Sequence, residues 1–403
     1  MIYRRFGRTG LELSVLSFGC MRSMHSWQPV VDAEIPPASN RNLEEIVQAA
    51  LDTGINHFET AHGYGTSEQQ LGHILRRIPR DRYLLQTKVR PSADPKKFLR
   101  DFSESLDRLG MDRVDLLAIH GINTYRDLWH VCREGGCLEA ARRLQREGKA
   151  GWIGFSGHGP AEVILAAIRH HGCGGFDYVN LHWYYIFQVN MEALREAAAR
   201  DMGVFIISPT DKGGMLQDPP QKLRALCAPL EPMVFNDAFC LRRVEIHTIS
   251  VGAARPDDFK THLQALSLVE KEADIDRIDA SLRHAMEEAT GGDRPEAHWS
   301  KLPPWERCPG LINIRFILWL HNLARGWGLV RYCRERYRKL GREVEWVPGC
   351  NGKEAAAYDL GPVAERIGMD GPGLARLLLD AHRLLGDGDD GWNEEVVVEE
   401  HGA

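Results

Sequence analysis

The sequence predicts an α/β fold: a (β/α)8 TIM barrel with an N-terminal β-hairpin and a C-terminal helical extension. Short apolar segments of strand character alternate with amphipathic helical segments along the first two thirds of the chain. The strand segments are almost continuously apolar, as expected for a parallel sheet that is covered by helices on its outer face. Eight such units are the number that closes a barrel.

The predicted strands follow one another at regular intervals. A hairpin comes first, in which residues 3–6 pair with residues 12–13. The eight barrel strands are then predicted at residues 16–20, 57–61, 83–89, 114–120, 152–156, 178–183, 204–208 and 248–252.

Capping residues mark the helices between these strands. Asn42 is predicted to begin the first helix, which ends before Gly54. Ser67 is predicted to begin the second helix, and Asp94, which precedes a proline, the third. Two helical segments are predicted within residues 221–243, before the eighth strand.

The chain divides into three regions by pattern. Residues 1–268 are predicted to form the barrel and residues 269–385 the helical extension, with helices at 274–288, 313–340 and 373–385 around a loop at 294–310. Residues 386–403 contain seven acidic residues and no Lys or Arg, which predicts a disordered tail.

Composition narrows the class of protein. The net charge is -6, and Lys and Arg are dispersed along the chain, so no nucleic-acid partner is expected. The most apolar stretch, residues 312–330, carries charged residues, and the N-terminus lacks the apolar core of a signal peptide, so no membrane partner is expected. The nine cysteines are scattered without any CxxC pair, which indicates reduced thiols and a cytoplasmic location. The oligomeric state is not predicted.

Four reactive side chains lie at the ends of three consecutive predicted strands. Glu59 and Tyr64 belong to the end of the second, Lys88 to that of the third and His120 to that of the fourth. Parallel barrels gather the carboxyl ends of successive strands on one face, where their chemistry takes place. A carboxylate, a phenol, an ammonium and an imidazole brought together there are suited to donating a proton. Lys88 alone would also suit a Schiff-base lyase, but the adjacent acid and phenol disfavour that interpretation.

These residues stand in motifs that resemble a known family. The segments GINHFETAHGYGTSEQQLG, LLQTK, VDLLAIHG, GFSGHG, DKGGML and VGAARPDDF occur in the order found in aldo-keto reductases, across about residues 1–265. The resemblance implies a barrel that binds a nicotinamide dinucleotide at its C-terminal face and reduces a small carbonyl compound. It assigns Tyr64 as proton donor, His120 to orient the carbonyl oxygen, and Lys88 to lower the phenol's pKa from its usual value of about 10. The family has Asp where this chain has Glu59, which is expected to pair with Lys88.

The same resemblance implies the cofactor and its binding residues. The expected cofactor is NADP(H), because Arg255 lies where a 2'-phosphate contact is implied and arginine suits phosphate recognition. The implied cofactor-binding residues are Ser156, Asn180, Ser208, Lys212, Gly213, Gly214, Gly252, Arg255 and Asp258. Three positions depart from the family's pattern: Gly157 replaces Asn, Asn180 replaces Gln, and Ile207 replaces an aromatic ring.

The aromatic residues Trp27, Trp183 and Tyr184 are expected to form an apolar substrate pocket, with packing at the barrel rim as the equally weighted alternative. No metal site is expected, because no HxH or HExxH spacing occurs. His62, His158 and His182, which lie near strand ends, are instead expected to line the pocket or to bind backbone groups.

The extension faintly resembles the ferredoxin-like region of one aldo-keto reductase branch. Only Cys308 and Cys350 remain near the ligand positions, so no iron-sulfur cluster is expected. The extension is expected to cover the barrel rim or to contact another subunit. Two functions stay open: an NADPH-dependent carbonyl reductase, and a nicotinamide-binding sensor or regulatory partner protein with weakened catalysis.

Overall fold

Eight parallel strands form a closed barrel in the computed structural model, which describes residues 1–28, 30–31, 34–342 and 347–386. An antiparallel hairpin of β1 (Tyr3–Arg5) and β2 (Glu12–Ser14) precedes the barrel. The barrel strands are β3 (Leu16–Gly19), β4 (His57–Glu59), β5 (Leu84–Val89), β6 (Val114–Ile119), β7 (Ala150–Ser156), β8 (Tyr178–Leu181), β9 (Gly203–Ile206) and β10 (Thr248–Gly252). They lie in sequence order, and β10 pairs with β3 to close the ring. The predicted (β/α)8 barrel is confirmed.

Helices cover the outside of the barrel and form the extension. Those up to residue 264 are α1 (Pro37–Asp52), α2 (Ser67–Leu75), α3 (Pro95–Leu109), α4 (Tyr125–Cys132), α5 (Cys137–Arg146), α6 (Ala161–Arg169), α7 (Met191–Ala199), α8 (Gln221–Cys227), α9 (Pro232–Leu241) and α10 (Phe259–Gln264). The later ones are α11 (Glu272–Thr290), α12 (Ile314–Trp327), α13 (Val330–Tyr337), α14 (Gly361–Ala364) and α15 (Gly371–Leu385).

Alternation along the strands decides which side chains enter the barrel. Phe58 belongs to the core between barrel and helices, whereas its neighbour Glu59 lies inside the barrel next to Gly19. Strand register brings Lys88 opposite Ala118, and Ser156 opposite Asn180. The polar side chains at the C-terminal ends of the strands are thereby collected at one end of the barrel interior.

Most predicted elements are present, but several begin or end at residues other than those predicted. Asp94 accepts a hydrogen bond from Lys96 N at 3.0 Å and caps α3, as predicted. The first helix begins earlier than predicted, at Pro37, because proline suits the first position of a helix. Asn42 lies inside that helix and donates from Nδ2 to Ala254 O at 2.9 Å. β4 ends at Glu59, before the predicted residue 61, since the chain turns there and Tyr64 N donates to Ala61 O.

The extension packs against the barrel. The helix predicted at residues 313–340 is two helices, α12 and α13, because Gly328 adopts a φ of 75° and ends α12. The indole of Trp319 on α12 donates to Ile186 O, in the segment after β8, at 2.8 Å. Apart from Gly386, the predicted disordered tail lies outside the described residues. No helix in the described part of the chain has the length and apolarity needed to cross a membrane.

Candidate active site

Glu59 and Lys88 form a buried ion pair at the C-terminal ends of β4 and β5. The side chains are 5% and 1% exposed, and Glu59 Oε1 contacts Lys88 Nζ. Lys88 Nζ also donates to Thr60 O at 2.8 Å. Two strands away in the barrel, Ser250 on β10 donates to Glu59 Oε2 at 3.4 Å. The longer carboxylate thus reaches its predicted partner and is held from a second strand.

Tyr64 lies above this pair in the loop between β4 and α2. Lys88 Nζ is 4.5 Å from the centroid of the Tyr64 ring. The phenol ring packs edge to face against the rings of His120 and Trp27, with distances between ring centroids of 5.7 Å and 6.3 Å respectively. The structure therefore brings together the four predicted catalytic residues, with a side chain of the predicted substrate pocket beside them.

The protonation of Tyr64 differs from the sequence-based expectation. Burial raises the pKa of its phenol well above the ordinary value, and the cation that opposes this rise is Arg90. The Lys88 ammonium, which lies over the ring and is paired with Glu59, does not bring the pKa of Tyr64 below its ordinary value as expected. The phenol is consequently protonated at neutral pH.

Arg90 was not singled out in the sequence. It stands two residues after Lys88, directly after the end of β5, and it is exposed. The signal that could have found it is this spacing of two residues from Lys88.

Burial also governs the bases of the site. Burial lowers the pKa of His120 well below its ordinary value, and the charges of Lys88, Arg90 and Lys212 lower it further. The imidazole is therefore neutral at neutral pH. Burial lowers the pKa of Lys88 as well. The contact with the Glu59 carboxylate favours the charged form of Lys88 and opposes this effect.

A histidine pair extends the site towards β8. His158 Nδ1 lies 2.7 Å from His182 Nε2, and His182 Nδ1 lies 3.2 Å from Ile207 O. Since a carbonyl only accepts, His182 carries its proton on Nδ1, and His158 donates to its Nε2. Lys212 Nζ lies 3.4 Å from His158 Nδ1. The expectation that these histidines bind backbone groups is met for His182, whereas their mutual hydrogen bond was not predicted.

Two of the residues predicted to bind the cofactor lie side by side on β7 and β8. Ser156 and Asn180 are paired in the β7–β8 register and fully buried. Ser156 Oγ accepts from Gly121 N at 2.9 Å. Neither amide atom of the Asn180 side chain has a hydrogen-bond partner among the residues that the structure describes. A buried amide with a free donor and a free acceptor is suited to binding a carboxamide.

The loop after β9 is tight enough to require glycine. Ser208 adopts a φ of 53°, and its carbonyl accepts from Lys212 N at 3.1 Å. A Cβ at Gly213 would collide with Pro209 O, and Gly214 adopts a φ of 124°. Such a loop lets a ligand approach the backbone closely.

The extension holds the same loop from outside. Tyr332 on α13 donates from its hydroxyl to Lys212 O at 2.7 Å. One turn further along α13, the NH2 group of Arg336 lies 3.5 Å from Asp211 Oδ2. The expectation that the extension covers the barrel rim agrees with these contacts.

Arg255, the residue predicted to contact a phosphate, lies in the loop after β10. Arg255 is exposed, and its NH2 lies 3.3 Å from Asp258 Oδ1. Asp258 Oδ2 accepts from the backbone N of Ala254 at 2.8 Å and of Arg255 at 3.1 Å. Burial alone would raise the pKa of Asp258, but these hydrogen bonds and the Arg255 charge outweigh it and lower the pKa. A Cβ at Gly252 would come within 2.9 Å of Arg22 Cδ.

Two of the three residues predicted to form the substrate pocket lie near the catalytic cluster. Trp27 belongs to a loop that lines an open cleft next to Tyr64, and Tyr184 packs edge to face on His182 at 6.0 Å. Trp183 does not join them. It is fully buried and stacks on Phe239 of α9 with ring centroids 5.1 Å apart, whereas His182 before it bonds to His158.

Comparison with known proteins defines the class. A sequence model described as the aldo/keto reductase family matches residues 15–292, and the chain belongs to this family. It is 27% identical to the L-galactose dehydrogenase of Arabidopsis thaliana over 230 residues, which is 54% of this chain and 68% of that protein. It is 28% identical to the L-glyceraldehyde 3-phosphate reductase of Escherichia coli K12, over 40% of this chain and 46% of that protein. The chain thus spans about half the length of the second relative.

Solved structures share the fold. An aldo-keto reductase from Bacillus halodurans has a TM-score of 0.56 at 22% identity, covering 69% of this chain and 96% of its own. A putative aldo-keto reductase from Pseudomonas aeruginosa has a TM-score of 0.53 at 23% identity, covering 67% and 96% respectively.

Proposed function

We propose that this chain is an NADPH-dependent oxidoreductase that reduces the carbonyl group of small aldehydes or ketones to an alcohol. The observation that carries the proposal is the cluster of Tyr64, Lys88, His120 and Glu59 at the C-terminal ends of adjacent strands, with the Tyr64 ring 4.5 Å from Lys88 Nζ and 5.7 Å from the His120 ring. The chain's relatives include proteins named for L-galactose and L-glyceraldehyde 3-phosphate, which supports a small carbonyl compound as the class of substrate.

The residues present fit a nicotinamide dinucleotide. The Asn180 side chain lies beside Ser156, and its buried amide has no hydrogen-bond partner among the described residues. This amide would bind the carboxamide. The backbone of Ser208, Lys212, Gly213 and Gly214 would hold the pyrophosphate, and the loop of Gly252, Arg255 and Asp258 the adenosine phosphate. Arg255 is the reason for proposing NADPH over NADH.

The reduction needs a hydride on carbon and a proton on oxygen. The bound dinucleotide supplies the hydride. Tyr64 donates its phenolic proton to the carbonyl oxygen, and its raised pKa keeps that proton in place at neutral pH. The neutral imidazole of His120 donates an N–H bond that orients the carbonyl. The Lys88 charge, placed by Glu59 and Thr60, stabilises the phenolate left on Tyr64.

One observation favours the alternative, a nicotinamide-binding sensor or regulatory partner with weakened catalysis. A phenol whose pKa lies above its ordinary value is a weaker acid, so the donor of this site is not tuned towards neutral pH as an efficient general acid would be. We retain the reductase because the ion pair that stabilises the phenolate is intact.

A single-turnover assay tests the proposal. Protein saturated with NADPH is mixed with a panel of aldehydes and ketones, and loss of NADPH absorbance is followed. At least one compound should oxidise NADPH, and Tyr64→Phe should slow that step by about 10² to 10⁴ while leaving NADPH affinity nearly unchanged. Tight NADPH binding without turnover on any compound would favour the sensor. Unaltered turnover in Tyr64→Phe would move the proton donor elsewhere.

The cellular location is also part of the proposal. We propose the cytoplasm, supported by nine cysteines that are all free thiols.

A further inference from the structure

A basic cleft lies in the extension, formed by the loop before α12, the start of α12 and the segment around α14. Its volume is about 290 Å³, and ten residues from 300 to 366 line it. Four of the ten carry a positive charge: Lys301, Arg307, Arg315 and Arg366. No lining residue is acidic, and none belongs to the candidate active site. We call this surface the basic cleft.

The charges of the basic cleft are poorly neutralised. Arg315 NH1 lies 3.8 Å from Glu162, whose side chain is 59% exposed, so this contact is weak. Lys301, Arg307 and Arg366 form no ion pair with any residue in the described part of the chain. Glu306 is within electrostatic range of Arg315 but does not line the cleft. Four cations thus line one opening with a single weak ion-pair contact among the described residues.

The walls of the basic cleft are fixed in place. Arg315 is 17% exposed at its side chain, and its Nε donates to Leu302 O at 2.6 Å. This bond sets the plane of the guanidinium and leaves its terminal amino groups for other acceptors. Pro303, Pro304 and Pro362 contribute to the lining, and proline restricts the backbone. A site that is already ordered loses less entropy on binding.

We propose that the basic cleft is a binding site for a small phosphorylated anion carrying at least two negative charges, distinct from the barrel site. Three arginines and a lysine around one opening suit several phosphate oxygens at once, because a guanidinium binds phosphate in a bidentate manner. A cleft of this volume accommodates a pyrophosphate group or a small organic phosphate. The proposal does not depend on the chain being a reductase, since no active-site residue takes part.

Calorimetric titration of the full chain with inorganic pyrophosphate at low ionic strength tests this site. The test variant is the double substitution Arg307→Gln and Arg366→Gln, at two exposed residues whose loss leaves the Arg315 anchor intact. The control is Arg100→Gln with Arg195→Gln, two exposed arginines on α3 and α7 that remove the same charge away from the cleft. We expect saturable binding that weakens at least tenfold in the test variant and less than twofold in the control.

Three results would overturn the proposal. These are undetectable pyrophosphate binding at millimolar concentration, equal affinity in wild type and the test variant, and equal weakening in both double variants, which would reflect overall charge alone. A glutamate-rich peptide provides the last comparison. Peptide binding as tight as that of pyrophosphate would show a surface for acidic chains and reject the phosphate class. A circular dichroism spectrum unchanged in the test variant ensures that a loss of affinity is not a loss of fold.

Discussion

Lys88 and Glu59 form an ion pair in a part of the barrel where both side chains are almost completely removed from water, with exposures of 1% and 5%. Burying two charges is costly, and the cost is recovered only when both are present and well placed. The pair therefore matters to stability as well as to catalysis. The Thr60 carbonyl and the Ser250 hydroxyl add the hydrogen bonds that a desolvated pair needs.

Replacing Glu59 by Gln should destabilise the fold, because it leaves the Lys88 ammonium buried without its counter-ion. We expect the free energy of unfolding to fall by about 3 to 5 kcal/mol. Urea denaturation followed by circular dichroism measures this. The double variant Glu59→Gln with Lys88→Met, which removes both charges, should recover part of the loss. A double variant less stable than Glu59→Gln alone would show that Lys88 does not depend on Glu59.

Arg255 should select between the two nicotinamide cofactors. Its guanidinium is 80% exposed at the rim and can leave Asp258 to bind a 2'-phosphate. We expect Arg255→Ala to weaken NADPH binding about tenfold or more and to change NADH binding little. Fluorescence titration with each cofactor measures both dissociation constants.

Lys260 offers a matched control for this experiment. It is an exposed cation near the same loop, paired with Asp257 at 2.8 Å, so Lys260→Ala removes one charge from the same region. Equal weakening by both substitutions would mean that local charge, rather than a specific contact, favours NADPH. Equal affinity of the wild type for the two cofactors would reject the preference itself.

His57 should make the protein sensitive to acid. It is fully buried inside the barrel, with Nδ1 2.8 Å from Ser17 Oγ, and burial lowers the pKa of its imidazole from 6.5 to about 3. Between these values the unfolded chain holds a proton that the folded chain lacks, so stability falls as the pH is lowered from 6.5 towards 3. One such group contributes a slope of about 1.4 kcal/mol per pH unit.

Urea denaturation at a series of pH values between 6 and 4 measures that slope. His57→Asn keeps a polar group near Ser17 but does not titrate, so its slope should be smaller by about 1.4 kcal/mol per unit. His284→Asn, at a side chain that is 73% exposed, should leave the slope nearly unchanged. A slope in His57→Asn that matches the wild type would show that His57 binds its proton equally in both states.

The fold could be predicted because the barrel depends on short-range signals that the sequence displays. Apolar strand segments recur with helices between them, and caps such as Asp94 act within their own turn. The start of α1 at Pro37 was missed because Asn42, a good capping residue, is tolerated inside a helix when its side chain finds another partner.

The sequence predicts which residues of the candidate site lie at strand ends. It does not predict the features of the site that depend on packing between distant segments. The position of Trp183 was assigned by proximity to a strand end, although its indole packs on Phe239 of α9, a partner distant in sequence. The raised pKa of Tyr64 depends on burial by residues distant in sequence, which no local pattern reveals. The same holds for the bond between His158 and His182, whose partners come from different strands.

Glu59→Asp decides whether the longer carboxylate serves or impairs the chemistry. In the structure Glu59 Oε1 reaches Lys88 and Oε2 accepts from Ser250, so the barrel is adjusted to the extra methylene. Aspartate is shorter and would have to give up one of these contacts, which would shift the ammonium relative to the Tyr64 ring. We therefore expect turnover in the single-turnover assay to fall or to stay similar, since small displacements in a catalytic site reduce its rate. A rise of tenfold, about 1.4 kcal/mol in the activation barrier, would show instead that Glu59 holds Lys88 away from its most effective position, and the sensor would become the better description of the protein.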